Sequence, residues 1–151
     1  LFGDDSMDYQ AALQRHYQNG APADWQENYI SAYATMHPWE DFAETWTHYL
    51  HMVDTLDTGA SFGLSVNPVV GRDPRDSMVI DFDPYLPPSL TDLVRAWLPL
   101  TTAVNSLNRS MGQPDLYPFV LPPAVLQKLE FMRRLVATAG GARAEPQQMA
   151  A

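Results

Sequence analysis

Hydrophobic positions recur at helical spacing through most of the chain, most tellingly after Pro38. Trp39, Phe42, Ala43, Trp46, Tyr49, Leu50 and Val53 form one apolar stripe of the kind an amphipathic helix requires. Glu40, Glu44, His48 and His51 share a second face, roughly 150° away at ~100° of turn per residue. This helix is predicted to begin at Pro38, because a residue before proline avoids the helical region while proline itself suits a first turn. Thr58-Gly59 sets its predicted end near Asp57.

Upstream, Asp4, Asp5 and Ser6 offer N-caps for a first helix reaching about Gln18, stopped by Asn19-Gly20. Asp24 followed by Glu27 has the spacing of a capping box and predicts a second helix through about Met36. From about Gly63 to Pro88, Asn67-Pro68, Gly71, Asp73-Pro74, Asp83-Pro84 and Pro87-Pro88 interrupt the pattern too often for long elements. An irregular loop is expected there, with strand-like pieces around Met78 to Phe82. Ser89 then caps a helix whose inner face is Leu90, Leu93, Val94, Trp97 and Leu98, with a kink expected at Pro99 and an end at Gly112-Gln113-Pro114. A fifth helix opens at Pro122-Pro123, turns Val125, Leu126, Leu129, Met132, Leu135 and Val136 inward, and closes at Gly140-Gly141. The expectation is a mainly α domain over residues 1–138, with about five helices and a Pro-rich loop at about 63–88. Residues 139–151 read as a disordered tail.

Composition narrows the function classes. With 151 residues, 46% of them hydrophobic and four of them tryptophan, the chain can bury a real core. No apolar run approaches the ~18 residues that span a bilayer, so no membrane role is expected, and a cytoplasmic location is the simplest reading. A net charge of −9 speaks against nucleic acid, which demands clustered Lys and Arg. The absence of cysteine removes disulfides and thiolate-bound metal from these residues. The chain opens Leu1-Phe2-Gly3 and is expected to be a piece of something longer. Between Arg15 and Arg72 there is no Lys or Arg, yet Asp24, Glu27, Glu40, Asp41, Glu44, Asp54 and Asp57 gather there. A buried carboxylate among them would need a metal or a distant arginine as partner.

The acid and histidine face supports two kinds of chemistry. Glu44, His48 and His51, at i, i+4 and i+7, carry legitimate zinc ligands, although three ligands from one straight helix poorly enclose a tetrahedral ion. Glu40 with Glu44 one turn later supplies one ligating carboxylate and one that orients a histidine supplied from elsewhere. Against each stands a plainer reading of solvated side chains and local hydrogen bonds. Asp81 and Asp83 lack a full calcium ligand set and read as turn residues. The polar run Asn105–Gly112 reads as capping, or as a buried Asn or Arg bracing the loop. The sequence holds no Gly-rich phosphate loop and no Gly-x-Ser-x-Gly elbow.

Three blocks carry a resemblance. They are the run from Ser31 to Trp46 (SAYATMHPWEDFAETW), Trp97-Leu98-Pro99-Leu100-Thr101, and the run from Asn105 to Val120 (NSLNRSMGQPDLYPFV). Together with Leu1-Phe2-Gly3-Asp4, they resemble a bacterial family of zinc-binding metallopeptidases with an N-terminal zinc ribbon, over nearly the whole chain to about Val136. The resemblance implies a gluzincin-like site, with two histidines and a general-base glutamate on a His-Glu-x-x-His helix and a carboxylate ligand downstream. It implies Glu40 as third zinc ligand, Glu44 as the carboxylate behind the ligands, and Tyr33 as donor to the developing oxyanion. The His-Glu-x-x-His pattern is absent from this sequence, so the missing ligands are expected in an N-terminal segment outside it. The intact protein would cleave a peptide or protein substrate, and this piece alone would be inactive. The rival from another class is a non-catalytic helical module that binds a protein or peptide.

Overall fold

The computed structural model describes residues 1–69, 73, 76–117 and 121–141. The fold is mainly α. Among the described residues its helices are α1 (Tyr9–Asn19), α2 (Pro38–Ser61), α3 (Leu90–Ser110) and α4 (Pro123–Gly141), with two short strands, β1 (Ser65–Val66) and β2 (Met78–Val79). The chain divides into two compact units, Leu1–Trp46 with Pro123–Ala151, and Thr47–Pro122. Of the tail expected at 139–151, residues 139–141 belong to α4 and 142–151 lie outside the described residues. Among the described residues, no helix is long and apolar enough to cross a membrane.

In the first unit, α1 is capped by Asp8, whose carboxylate accepts from Ala11 N at 2.7 Å. The predicted caps at 4–6 serve otherwise: Asp4 holds the Ser6 backbone and hydroxyl at 3.0 and 2.7 Å. Gly20 ends α1 with φ of 73°, a conformation in which a side chain would be strained. The helix predicted over 24–36 does not form. Two 3₁₀ turns, Trp25–Glu27 and Tyr33–Thr35, stand in its place. Asp24 makes no capping bond, Ser31 Oγ accepts from Ala34 N, and Thr35 Oγ1 donates to the Ala32 carbonyl. Such local bonds compete with a helical ladder. The Asn28 carbonyl is also claimed by Lys128 Nζ at 2.8 Å.

Lys128 is the only lysine in the chain, and it decides which face of early α2 turns inward. Its ammonium meets Asp41 Oδ2 at 2.6 Å, with both side chains buried. It also lies 4.5 Å from the centroid of the Tyr29 ring and 5.8 Å from that of Phe2. Burial pushes the Asp41 carboxyl above the ordinary carboxylate range, and the hydrogen bond and charge of Lys128 offset only part of that rise. Asp41 and Thr45 are therefore the buried positions of this stretch, whereas Trp39 is 59% and Phe42 38% exposed. The apolar stripe read from the sequence is thus rotated at its start. Leu135, predicted inward, is likewise exposed, while Val125, Leu129 and Met132 of α4 are fully buried as expected.

In the second unit, the rest of α2 buries Tyr49, Met52, Val53 and Leu56. The helix runs past its predicted stop because Gly59 is a packing glycine. A Cβ there would stand 3.3 Å from both Ile80 Cδ1 and Leu100 Cδ2. Gly63, at φ of 64°, follows the true end. Within the expected loop, β1 pairs antiparallel with β2, Ser65 opposite Val79 and Val66 opposite Met78. Asp83 closes a turn by accepting from Tyr85 N at 2.9 Å, as a turn aspartate does. Ser89 caps α3 as predicted, accepting from Asp92 N and donating to Asp92 Oδ2. The helix continues through Pro99, and Thr101 Oγ1 donates to the Trp97 carbonyl at 2.7 Å. Buried Asn105 braces the following segment, donating to the Tyr117 carbonyl and accepting from Leu116 N. Arg109 pairs with Asp115 beside it.

Replacing Lys128 with methionine is expected to lower unfolding free energy by about 3–5 kcal/mol in urea titrations, because it strands a buried carboxylate. Adding Asp41→Leu to that variant should recover most of the loss. An additive double variant would show that the pair is not coupled.

Candidate functional site

The first turn of α2 is built around His37 rather than a serine or aspartate cap. This histidine is 2% exposed. Its Nδ1 accepts from Trp39 N at 3.1 Å, so the ring proton sits on Nε2, which donates to the Met7 carbonyl at 3.1 Å. One imidazole thereby satisfies an orphan helix donor and ties the turn to the segment before α1. Pro38 follows as the first helical residue, where its missing N–H costs nothing.

Glu40 lies in this turn, half-buried. Its Oε1 accepts a 2.7 Å hydrogen bond from the phenol of Tyr9. Oε2 takes no hydrogen bond from any of the described residues. The bond to the Glu40 carboxylate pushes the Tyr9 phenol well above its ordinary pKa, with desolvation and nearby Tyr33 acting in the same direction. The ring of Tyr9 stacks on Trp39 (centroids 5.9 Å apart, planes at 28°) and meets His37 edge-on at 5.2 Å. Tyr33, on the second 3₁₀ turn, sets its ring edge-on to His16 at 5.8 Å. Tyr33, Tyr9 and Glu40 thus form one neighbourhood within the first unit. Glu44 follows one turn later, half-buried.

His48 and His51 belong to the second unit and gather around Tyr117. The Tyr117 phenol is hydrogen-bonded to His51 Nδ1, and His48 meets the same ring edge-on at 5.5 Å. Trp97 closes on Tyr117 at 5.6 Å, and burial raises the phenol pKa. Among the described residues, no three of His, Cys, Asp and Glu come together as a metal site. The self-contained trio of Glu44, His48 and His51 is therefore not assembled. The donor set present offers zinc one carboxylate at Glu40 and does not enclose the ion by itself.

Sequence reasoning missed Tyr9, His37 and the pairing of Asp41 with Lys128. A signal existed for the last, since Lys128 stands within the inward stripe of Val125, Leu129 and Met132. No spacing rule could join Tyr9 to Glu40 across 31 positions.

A family model described as "Putative zinc-binding metallo-peptidase" matches residues 1–135. An uncharacterized protein of Mycobacterium bovis and one of Mycobacterium tuberculosis are each 48% identical over 136 residues. The aligned region is 90% of this chain and 37% of each relative, so the chain spans little more than a third of the curated relatives it matches. No solved structure matches it.

Replacing His37 with alanine is expected to cost about 2 kcal/mol, roughly 1 for the lost cap and 1 for the lost bond to Met7. Chemical denaturation measures it, and an unchanged midpoint would contradict the capping role.

Proposed function

Because the chain belongs to the family of zinc-binding metallo-peptidases whose model spans residues 1–135, we propose that it is the C-terminal helical part of a zinc-dependent metallopeptidase. In this reading Glu40 is the third zinc ligand, Glu44 orients a neighbouring ligand, and Tyr33 donates to the oxyanion that develops on a peptide carbonyl. The two histidine ligands and the general base lie outside these residues, on a His-Glu-x-x-His helix. Zinc, when bound, supplies acidified water for attack on a peptide or protein substrate.

One observation carries the reading. Glu40 is half-buried beside Tyr9 and Tyr33, with one oxygen held and the other taking no hydrogen bond from the described residues. A carboxylate held by one oxygen can meet a metal through the other. The greater length of the relatives leaves room for the remaining ligands.

A second reading has its own support. Trp39 and Phe131 are exposed and Phe42 is partly so, and Phe2 meets Phe42 and Phe131 edge-on at 5.4 and 5.8 Å. An exposed aromatic patch of this kind suits a protein- or peptide-interaction module without catalysis.

In the intact protein, Glu40→Ala is expected to lose one equivalent of zinc relative to the wild type by elemental analysis. Zinc fully retained would remove Glu40 from the site and favour the interaction module. Tyr33→Phe should lower kcat by about 10²–10³, with zinc content unchanged, because one oxyanion donor is lost. An unaltered kcat would exclude that role.

A further inference from the structure

We propose that the exposed apolar face of the first unit seats the stretch that precedes Leu1 in the intact protein, so that this face is buried within one polypeptide. The proposal rests on the reading above only in taking further residues to lie upstream. Two helices build the face. On α2, Trp39, Phe42, Ala43 and Trp46 stand at i, i+3, i+4 and i+7, the spacing of a core-facing stripe. The first three are nevertheless exposed, and Trp46 is only partly covered. On α4, Phe131 and Leu135 lie one turn apart and are exposed, while Val125, Leu129 and Met132 fill the core. Phe2 bridges the helices, edge-on to both Phe42 and Phe131.

Two observations choose the occupant. Leu1 is itself part of the face: with Phe131 and Leu135 it lines a groove of about 520 Å³ on one side of α4, so residues joined to its nitrogen start inside that groove. The aligned region is only 37% of each mycobacterial relative, which leaves ample chain to cover it. Covalent attachment holds such a stretch beside the face at an effective concentration of about millimolar, a level that a separate partner would have to match. Contiguous apolar surface is otherwise seldom left open on a monomeric protein.

Replacing Phe131 with p-benzoylphenylalanine in the intact protein keeps an aromatic ring there and lets light join it to whatever packs against it. Mapped by mass spectrometry, the expected adduct lies within one chain and on residues before Leu1. Hydroxyl-radical footprinting of the wild type should show loss of oxidation at Phe42 and Phe131 relative to the urea-unfolded protein. Tyr17, exposed on α1, should show no such loss. Adducts to a second copy, or to residues after Gly141, would overturn the proposal. Phe42 and Phe131 oxidised as freely as in the unfolded protein would overturn it too, in favour of the interaction module. Full zinc retention by Glu40→Ala would instead sink the metallopeptidase reading and leave the adduct where it is, so the two failures are told apart.

Discussion

The buried pair of Lys128 and Asp41 constrains the first unit more than any apolar contact does. Two opposite charges removed from water must stay together, because separating them leaves an ion in a medium that cannot solvate it. The 2.6 Å contact therefore fixes the rotation of early α2 about its own axis and the face α4 presents to it. It also draws the Asn28 carbonyl to the ammonium, which helps keep the 24–36 segment out of a regular helix. The Tyr29 ring beneath the same ammonium adds a contact of cation–π type.

That rotation has a consequence one residue earlier. With Asp41 turned inward, Glu40 is carried to a half-buried position where Tyr9 can reach it. His37 holds the turn from its other side by acting as a cap. A buried ion pair at Asp41, a histidine cap at His37 and a tyrosine on Glu40 thus fix the same turn of α2.

Much of the architecture was legible in the chain. The mainly α character, the start of α2 at Pro38, the Ser89 cap and the strand near Met78 all follow from local chemistry that acts over a few residues. The bracing role of Asn105 could be anticipated from its polar setting at a helix end. The failures share a cause. Gly59 reads as a stop because glycine ends helices, yet here it answers the approach of Ile80 and Leu100. Asp24 and Glu27 read as a capping box, yet Asp24 makes no cap. Trp39 and Phe42 read as core, yet the face they mark is partly open.

By itself, the sequence determined where most helices could begin and which family the chain resembles, because capping, periodicity and motif spacing are properties of neighbouring residues. Only the tertiary structure decided that Asp41 would be buried with Lys128 across 87 positions, and that Tyr9 would hold Glu40. It also decided that His48 and His51 would gather around Tyr117. Each of these joins residues distant in the chain. Their energies come from desolvation and from geometry in three dimensions, which no local pattern of hydrophobic and polar residues encodes.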